Sequence, residues 1–261
     1  MNESTFGEVT LVRDGHVALI EIDRPPHNHV TVELMHDLAN AFGVADLERD
    51  IRVSILSTAG KSFCAGADLA APTGLANAEG NSGISALYVE AVRLFSTNKP
   101  IVAAVQGAAV GAGLGLALVA DFRIAAPEAR FAANFVKLGF HPGFGITHTL
   151  PRAIGEQRAA LMCLTGRRIK ADEALAWGLV DEVVPLASLK EQALRLAREL
   201  AENAPLAVQA TRATLRRELA AKVKAQTDHE FTEQSILRKT KDFAEGVRAV
   251  AERRPGDFTG T

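Results

Sequence analysis

Residues 101–120 read IVAAVQGAAVGAGLGLALVA. The run carries no charge, has glycine at 107, 111, 113 and 115, and is entered through Lys99-Pro100. Three structures fit it. A run of this length can span a bilayer, but Ala and Gly supply much of it and no aromatic anchor flanks it. The GAGLG at 111–115 resembles a dinucleotide-binding loop. There the third glycine falls one residue later, and the ribose-binding acid lies about 20 residues further on. Asp121 is much too near. The third structure is a buried strand that feeds a tightly packed helix. Its N-terminus would present unpaired backbone N–H groups to a ligand oxygen.

The surrounding chain decides for the third. Its 261 residues fit one large domain, or one domain with an appendage. A hydrophobic content of 48% with 23% charged residues is ordinary for a globular chain. A net charge of −2 gives nucleic-acid binding little electrostatic support. The two cysteines, Cys64 and Cys163, make no disulfide framework and fit a reducing compartment. The N-terminal MNESTFGEVT has neither the basic nor the apolar region of a signal peptide. A cytoplasmic protein with no membrane attachment is expected.

Working outward, residues 9–12 and 17–22 are β-rich runs separated by Asp-Gly, a hairpin signal. Thr31 is placed to cap a helix whose apolar positions include Leu34, Leu38, Phe42 and Ala45. Strands are expected at 51–56, 101–105, 122–125, 129–132 and 179–184. Helices are expected from about 86 to 96, at 147–154, 156–164 and 171–177. Residues 70–85, rich in Gly, Asn and Ala, read as a mobile loop, and 166–170 as a turn. From 187 onward the chain is polar and helical, with Pro205, Thr227 and Lys241 as separators. Alternating strands and helices predict an α/β class with parallel sheet. An α/β core over 1–190 is followed by a helical region over 191–261.

KSFCAGADL at 61–69 and GAAVGAGLGLAL at 107–118 resemble the two signature loops of the crotonase (enoyl-CoA hydratase/isomerase) superfamily. DRPP at 23–26, ADFRIA around Asp121, LG at 138–139 with PG at 142–143, TGRRI at 165–169, ALAWGLVDEVV at 174–184 and RAVAERRP at 248–255 follow in the same order. The likeness covers nearly the whole chain. It implies stacked ββα units with a helical C-terminal trimerisation region, and a homotrimer or dimer of trimers. It also implies a CoA thioester as substrate, with coenzyme A brought in by the substrate and no tightly bound cofactor. The backbone N–H groups of Ala67 and Ala112 would form an oxyanion hole. Two convergent donors, one at a helix N-terminus, stabilise a thioester oxygen as it gains charge. Ala112 stands where the family usually has glycine. Ala65, Asp68, Leu69 and Ala70 match the segment along the CoA path, and Arg24 and His27 a CoA-contacting turn. The lysine often found at the position of Ala70 is absent. Arg253 or Arg254 would supply a charge to CoA or simply face solvent.

The same resemblance locates the two glutamates of a hydratase. They fall at Gly115 and Phe135, and neither is an acid. Two-carboxylate hydration therefore does not transfer. His141 is a replacement acid–base candidate or a structural loop histidine. Tyr88 stands where the superfamily's dehalogenase branch has a histidine, to orient substrate or donate a proton. That branch's nucleophilic aspartate falls at Gly143. Phe135, Phe140 and Phe144 predict an apolar acyl pocket. His27 and His29 lack a third metal ligand, so no metal is expected. Cys64 reads as a small buried residue, or as a nucleophile were its pKa lowered, and Asp68 and Asp121 as structural. Two readings remain open. One is an enzyme on acyl-CoA working by isomerisation, C–C cleavage or another non-standard route. The other is a non-catalytic acyl-CoA-binding or assembly protein.

Overall fold

The computed structural model describes residues 3–67 and 82–261. The order opens with β1 (Glu3–Phe6), β2 (Val9–Asp14), β3 (Val17–Ile22), α1 (Val32–Leu47), β4 (Val53–Thr58) and α2 (Ser82–Phe95). Next come β5 (Ile101–Val105), β6 (Ala108–Val110), α3 (Ala112–Val119), β7 (Phe122–Ala125) and β8 (Arg130–Ala132). A 3₁₀ turn (Asn134–Leu138) leads to α4 (Ile146–Ile154), α5 (Glu156–Thr165), β9 (Arg168–Lys170), α6 (Ala171–Trp177) and β10 (Glu182–Val183). The chain ends in α7 (Leu189–Ala201), α8 (Pro205–Leu215), α9 (Leu219–Leu237) and α10 (Lys241–Ala251).

Among the described residues, one sheet has the order β1-β2-β3-β4-β5-β7-β10. It is antiparallel through the β2–β3 hairpin and parallel from β3 onward. The parallel strands alternate between two cores. Ile101, Ala103 and Val105 face the core that holds α1 and α3, while Val102 and Ala104 face the core under α7. A strand covered on both sides needs no polar face, which accounts for the uncharged run. Helix α7 buries Leu189, Ala193, Ala197 and Ala201, one residue per turn, against this second face. A division at 190/191 therefore falls inside a helix packed on the sheet.

A second, three-stranded sheet orders β6-β8-β9. Two of its strands depart from the sequence reading. Residues 108–110 form a strand inside the run expected to pass from strand to helix. Residues 168–170, expected as a turn, pair with β8 through Ile169↔Phe131. Both strands have three residues, too short to display a period. β10 is also shorter than the expected 179–184. Thr31 caps α1, accepting from the Leu34 N–H at 3.1 Å. Thr227 does not separate helices. It lies within α9, buried, with its hydroxyl donating to the Lys224 carbonyl. Of the loop expected at 70–85, residues 70–81 lie outside the described residues and Ser82 onward is helical.

Helix α9 packs across α2 and α4, and α10 packs on the 3₁₀ turn. This last contact is close: a Cβ on Gly246 would lie 2.3 Å from the Leu138 carbonyl carbon. The result seats Phe243 against Phe140, with ring centroids 4.9 Å apart. These contacts bring α2, the Gly-rich helix α3, the 3₁₀ turn, α9 and α10 around one cavity.

Candidate active site

The loop at 62–67 and the segment β6–α3 are stitched together by backbone. The Cys64 N–H donates to the Ala108 carbonyl at 2.8 Å, and the Val110 N–H to the Cys64 carbonyl at 3.0 Å. Glycine permits this approach. A Cβ on Gly107 would lie 1.9 Å from the Lys61 oxygen, and one on Gly113 would lie 2.0 Å from the Cys64 oxygen. The turn at 24–30 holds the other side. The Ala65 N–H donates to the His27 carbonyl at 2.9 Å and the Val30 N–H to the Gly66 carbonyl at 3.0 Å. Buried Asn28 donates from Nδ2 to the carbonyls of Ala59 and Ser62 at 2.8 Å each.

These bonds set the Ala67 and Ala112 amides on one cavity. Neither N–H donates to a described residue. Ala112 is the first residue of α3, where helical N–H groups have no partner inside the helix. The two amides are near neighbours, since a Cβ on Gly66 would come within 3.7 Å of the Ala112 nitrogen. Two unpaired donors beside the positive end of a helix can hold a carbonyl oxygen as it becomes negative.

The cavity measures about 260 Å³. Leu87, Phe135, Leu138, Phe140, Phe144, Val247 and Val250 give it apolar walls. Its polar side chains among the described residues are His29, Tyr88, Asn134 and Gln234, with no carboxylate, lysine or arginine. Phe135, at the second glutamate position, lines the wall from the 3₁₀ turn. The first position is filled differently. A Cβ on Gly115 would lie 2.5 Å from the Phe144 ring, and Gly115 does not reach the cavity surface. The Phe144 ring stands between them, so the space of a carboxylate at 115 holds an aromatic ring. Phe144 is 1% exposed and has φ +63°, a conformation costing a bulky residue on the order of 1–3 kcal/mol.

Glu230 of α9 holds that backbone. Its carboxylate accepts the Gly145 N–H at 2.7 Å, the Thr147 N–H at 3.1 Å and the Thr147 hydroxyl. Fully buried, it caps the first turn of α4. Burial pushes its pKa up to about 7, and the Thr147 and Gly145 hydrogen bonds oppose the rise only in part. One turn on, Gln234 accepts from the Tyr88 hydroxyl at 2.8 Å and donates to the His141 carbonyl at 2.9 Å. Burial, reinforced by the Glu230 charge, raises the Tyr88 pKa far above neutrality. Tyr88 is thus a neutral phenol that can donate or accept a hydrogen bond but not act as a phenolate.

The other expected residues are spread around this cavity. Ala65, Phe135 and Phe140 line it. His141 is not among the lining residues; its Nδ1 is 2.7 Å from the Pro142 oxygen and its ring lies edge-on to His229. Arg24 pairs with Glu8 at 3.2 Å, and His27 is exposed; neither lines the cavity. Asp68, Leu69 and Ala70 lie outside the described residues. Arg254 is tied to Glu245 and Glu252. Burial pushes the Cys64 thiol up to about 12, which removes it as a neutral-pH nucleophile. Asp121 accepts the Ile101 N–H and pairs with Arg212 on α8 and with Arg216 just past its end. Glu230, Gln234 and His29 had no signal in the sequence as parts of this site, because their partners are remote in the chain; Asn134 lines the cavity and was not singled out either.

The mixed α/β fold, with its parallel-rich sheet, is that of the crotonase superfamily. The family described as enoyl-CoA hydratase/isomerase matches residues 13–261, and the chain belongs to it. Its relatives include an (E)-benzylidenesuccinyl-CoA hydratase from Thauera aromatica, 37% identical over 97% of this chain and 99% of that protein. A 2,3-dehydroadipyl-CoA hydratase from Escherichia coli K12 is 36% identical over 98% of this chain and 100% of the other. Among solved structures, an enoyl-CoA hydratase/isomerase from Pseudoalteromonas atlantica superposes with a TM-score of 0.86. It is 29% identical, covering 97% of this chain and 100% of that one.

Two outcomes follow for this wall. Gly115→Ala should cost about 1–3 kcal/mol by overpacking against Phe144, and Phe144→Ala about 3–5 kcal/mol by opening a cavity. In the double variant the added methyl meets no ring, so urea unfolding should show the two costs summing to less than additive. Strict additivity would remove the contact. Glu230 gives a pH signature. Its carboxyl stays protonated in the folded state up to about pH 7 but ionises near 4.5 when unfolded. Its stabilising contribution is therefore present below pH 4.5 and is lost as pH rises through 7. Between pH 5 and 8, wild-type unfolding free energy should fall relative to Glu230→Gln by on the order of 3 kcal/mol. Parallel urea profiles for the two proteins would contradict the raised pKa.

Proposed function

We propose that this chain processes an acyl-CoA thioester whose carbonyl oxygen is held by the Ala67 and Ala112 N–H groups. The observation that carries this reading is the pair of amides, with no acceptor among the described residues, opening on an apolar cavity of acyl-group size. Charge developing on that oxygen, as enolate or tetrahedral oxyanion, meets donors fixed before the reaction begins. The acyl group lies along Phe135, Phe140 and Phe144, a wall suited to a bulky or cyclic chain.

The reaction does not follow the two-glutamate route. Hydration by that route needs carboxylates to hold and deprotonate water, and both positions are apolar. Isomerisation, or C–C cleavage of a 3-oxoacyl-CoA, is the proposed chemistry; each passes through an oxyanion the two amides stabilise. Coenzyme A enters as part of the substrate, with no separate cofactor. Assembly as a trimer or dimer of trimers belongs to the same proposal. Leu206 and Leu215, exposed on α8, support it as apolar surface open to a second copy.

The test begins with the purified protein and short enoyl-, 3-oxoacyl- and ring-bearing acyl-CoAs, with products read by mass. On whichever compound turns over, Ala112→Pro removes one donor at a helix position that tolerates proline. It should lower kcat/KM by about 10²–10³-fold while the circular dichroism spectrum stays native. Near-normal turnover in that variant would overturn the oxyanion assignment. Tight binding with no product from any compound would favour a non-catalytic acyl-CoA-binding protein.

A further inference from the structure

We infer that His29 is a positioning residue of the oxyanion hole, acting through the Gly66–Ala67 peptide; this rests on the function proposed above. The Ala67 N–H and the Gly66 carbonyl are two ends of one peptide unit. The carbonyl end is held twice: by the Val30 N–H at 3.0 Å and by His29 Nδ1 at 3.1 Å. A carbonyl oxygen can only accept, so Nδ1 carries the proton in this contact and Nε2 is the other tautomeric position.

This contact does two things. It fixes the rotation of the Gly66–Ala67 peptide plane. Gly66 has φ +92° and no side chain to hold its own orientation, so an external anchor sets the direction of the Ala67 N–H. It also polarises the peptide. A hydrogen bond accepted at the carbonyl draws electron density from the nitrogen and makes the N–H a stronger donor, by about 10–30% per bond in condensed phase. His29 is half-buried and lines the cavity beside Ala67. Its ring packs against that of His27, with centroids 5.2 Å apart. Such a site leaves the imidazole partly shielded from water, where its hydrogen bond is stronger than in the open.

Its effect is therefore on the oxygen of the bound thioester and not on a proton of the substrate. That separates it from a general base, which the same imidazole could be by its chemistry alone. An asparagine at 29 offers a donor nitrogen at a similar distance from the backbone, but no base. The conservative variant thus discriminates between the two roles.

The experiment uses cinnamoyl-CoA labelled with ¹³C at the thioester carbonyl, bound to the full chain and read by isotope-edited infrared spectroscopy. No turnover is needed. Wild type should lower the carbonyl stretching frequency relative to free ligand. His29→Leu should lose roughly a tenth to a third of that downshift with Kd changed less than about threefold, and His29→Asn should restore it. Ala112→Pro, which removes a direct donor, should lose more than His29→Leu. An undiminished downshift in His29→Leu alongside a clear loss in Ala112→Pro would overturn the inference and leave the oxyanion hole intact. Absence of any downshift in wild type would overturn the oxyanion reading itself, and with it this role.

Discussion

The structure depends on one close approach of backbone to backbone. The loop at 62–67 lies directly on β6 and the first turn of α3, with Cys64 exchanging hydrogen bonds with Ala108 and Val110. No side chain fits in between at Gly107 or Gly113. Two amides from distant parts of the chain can converge on one oxygen only if their backbones touch, and glycine is what allows it. The sheet serves this contact. β4 and β5, buried on both faces, deliver the loop and the helix to the same edge of the sheet.

The second constraint is what fills the space around the cradle. A buried charge without partners is costly, and the two positions 135 and 115 carry none. Phe135 takes one position directly. The other is filled from a distance, by Phe144 leaning over Gly115. That arrangement is held from α9: Glu230 fixes the backbone beyond Phe144, and Gln234 ties Tyr88 to the loop carbonyl of His141. This side of the cavity is thus a neutral, mostly aromatic wall whose shape rests on one buried acid that does not line it.

Much of this was legible in the chain. The Asp-Gly hairpin, the Thr31 cap and the strand at 101–105 are local signals, and each element formed where its residues indicated. Ala67 and Ala112, taken from two motifs, line one cavity with Phe135, Phe140 and Phe144. β6 and β9 were not legible, because three residues carry no period and their pairing is wholly tertiary. Nor could the sequence show that the Phe144 ring packs on Gly115, or that Glu230 reaches the turn before α4. His141 was read from its chemistry, but the loop turns its ring to Pro142 and His229. His29 was weighed only as a metal ligand, since nothing local ties it to Gly66.

The central claim is that one thioester oxygen is shared by two backbone donors. A crystal structure of the chain with a bound non-reactive acyl-CoA tests it most directly. The account predicts that oxygen within about 2.7–3.1 Å of both the Ala67 and Ala112 nitrogens, with the acyl group against Phe144. A thioester carbonyl directed away from these amides, or an acyl group lying outside the cavity, would contradict it.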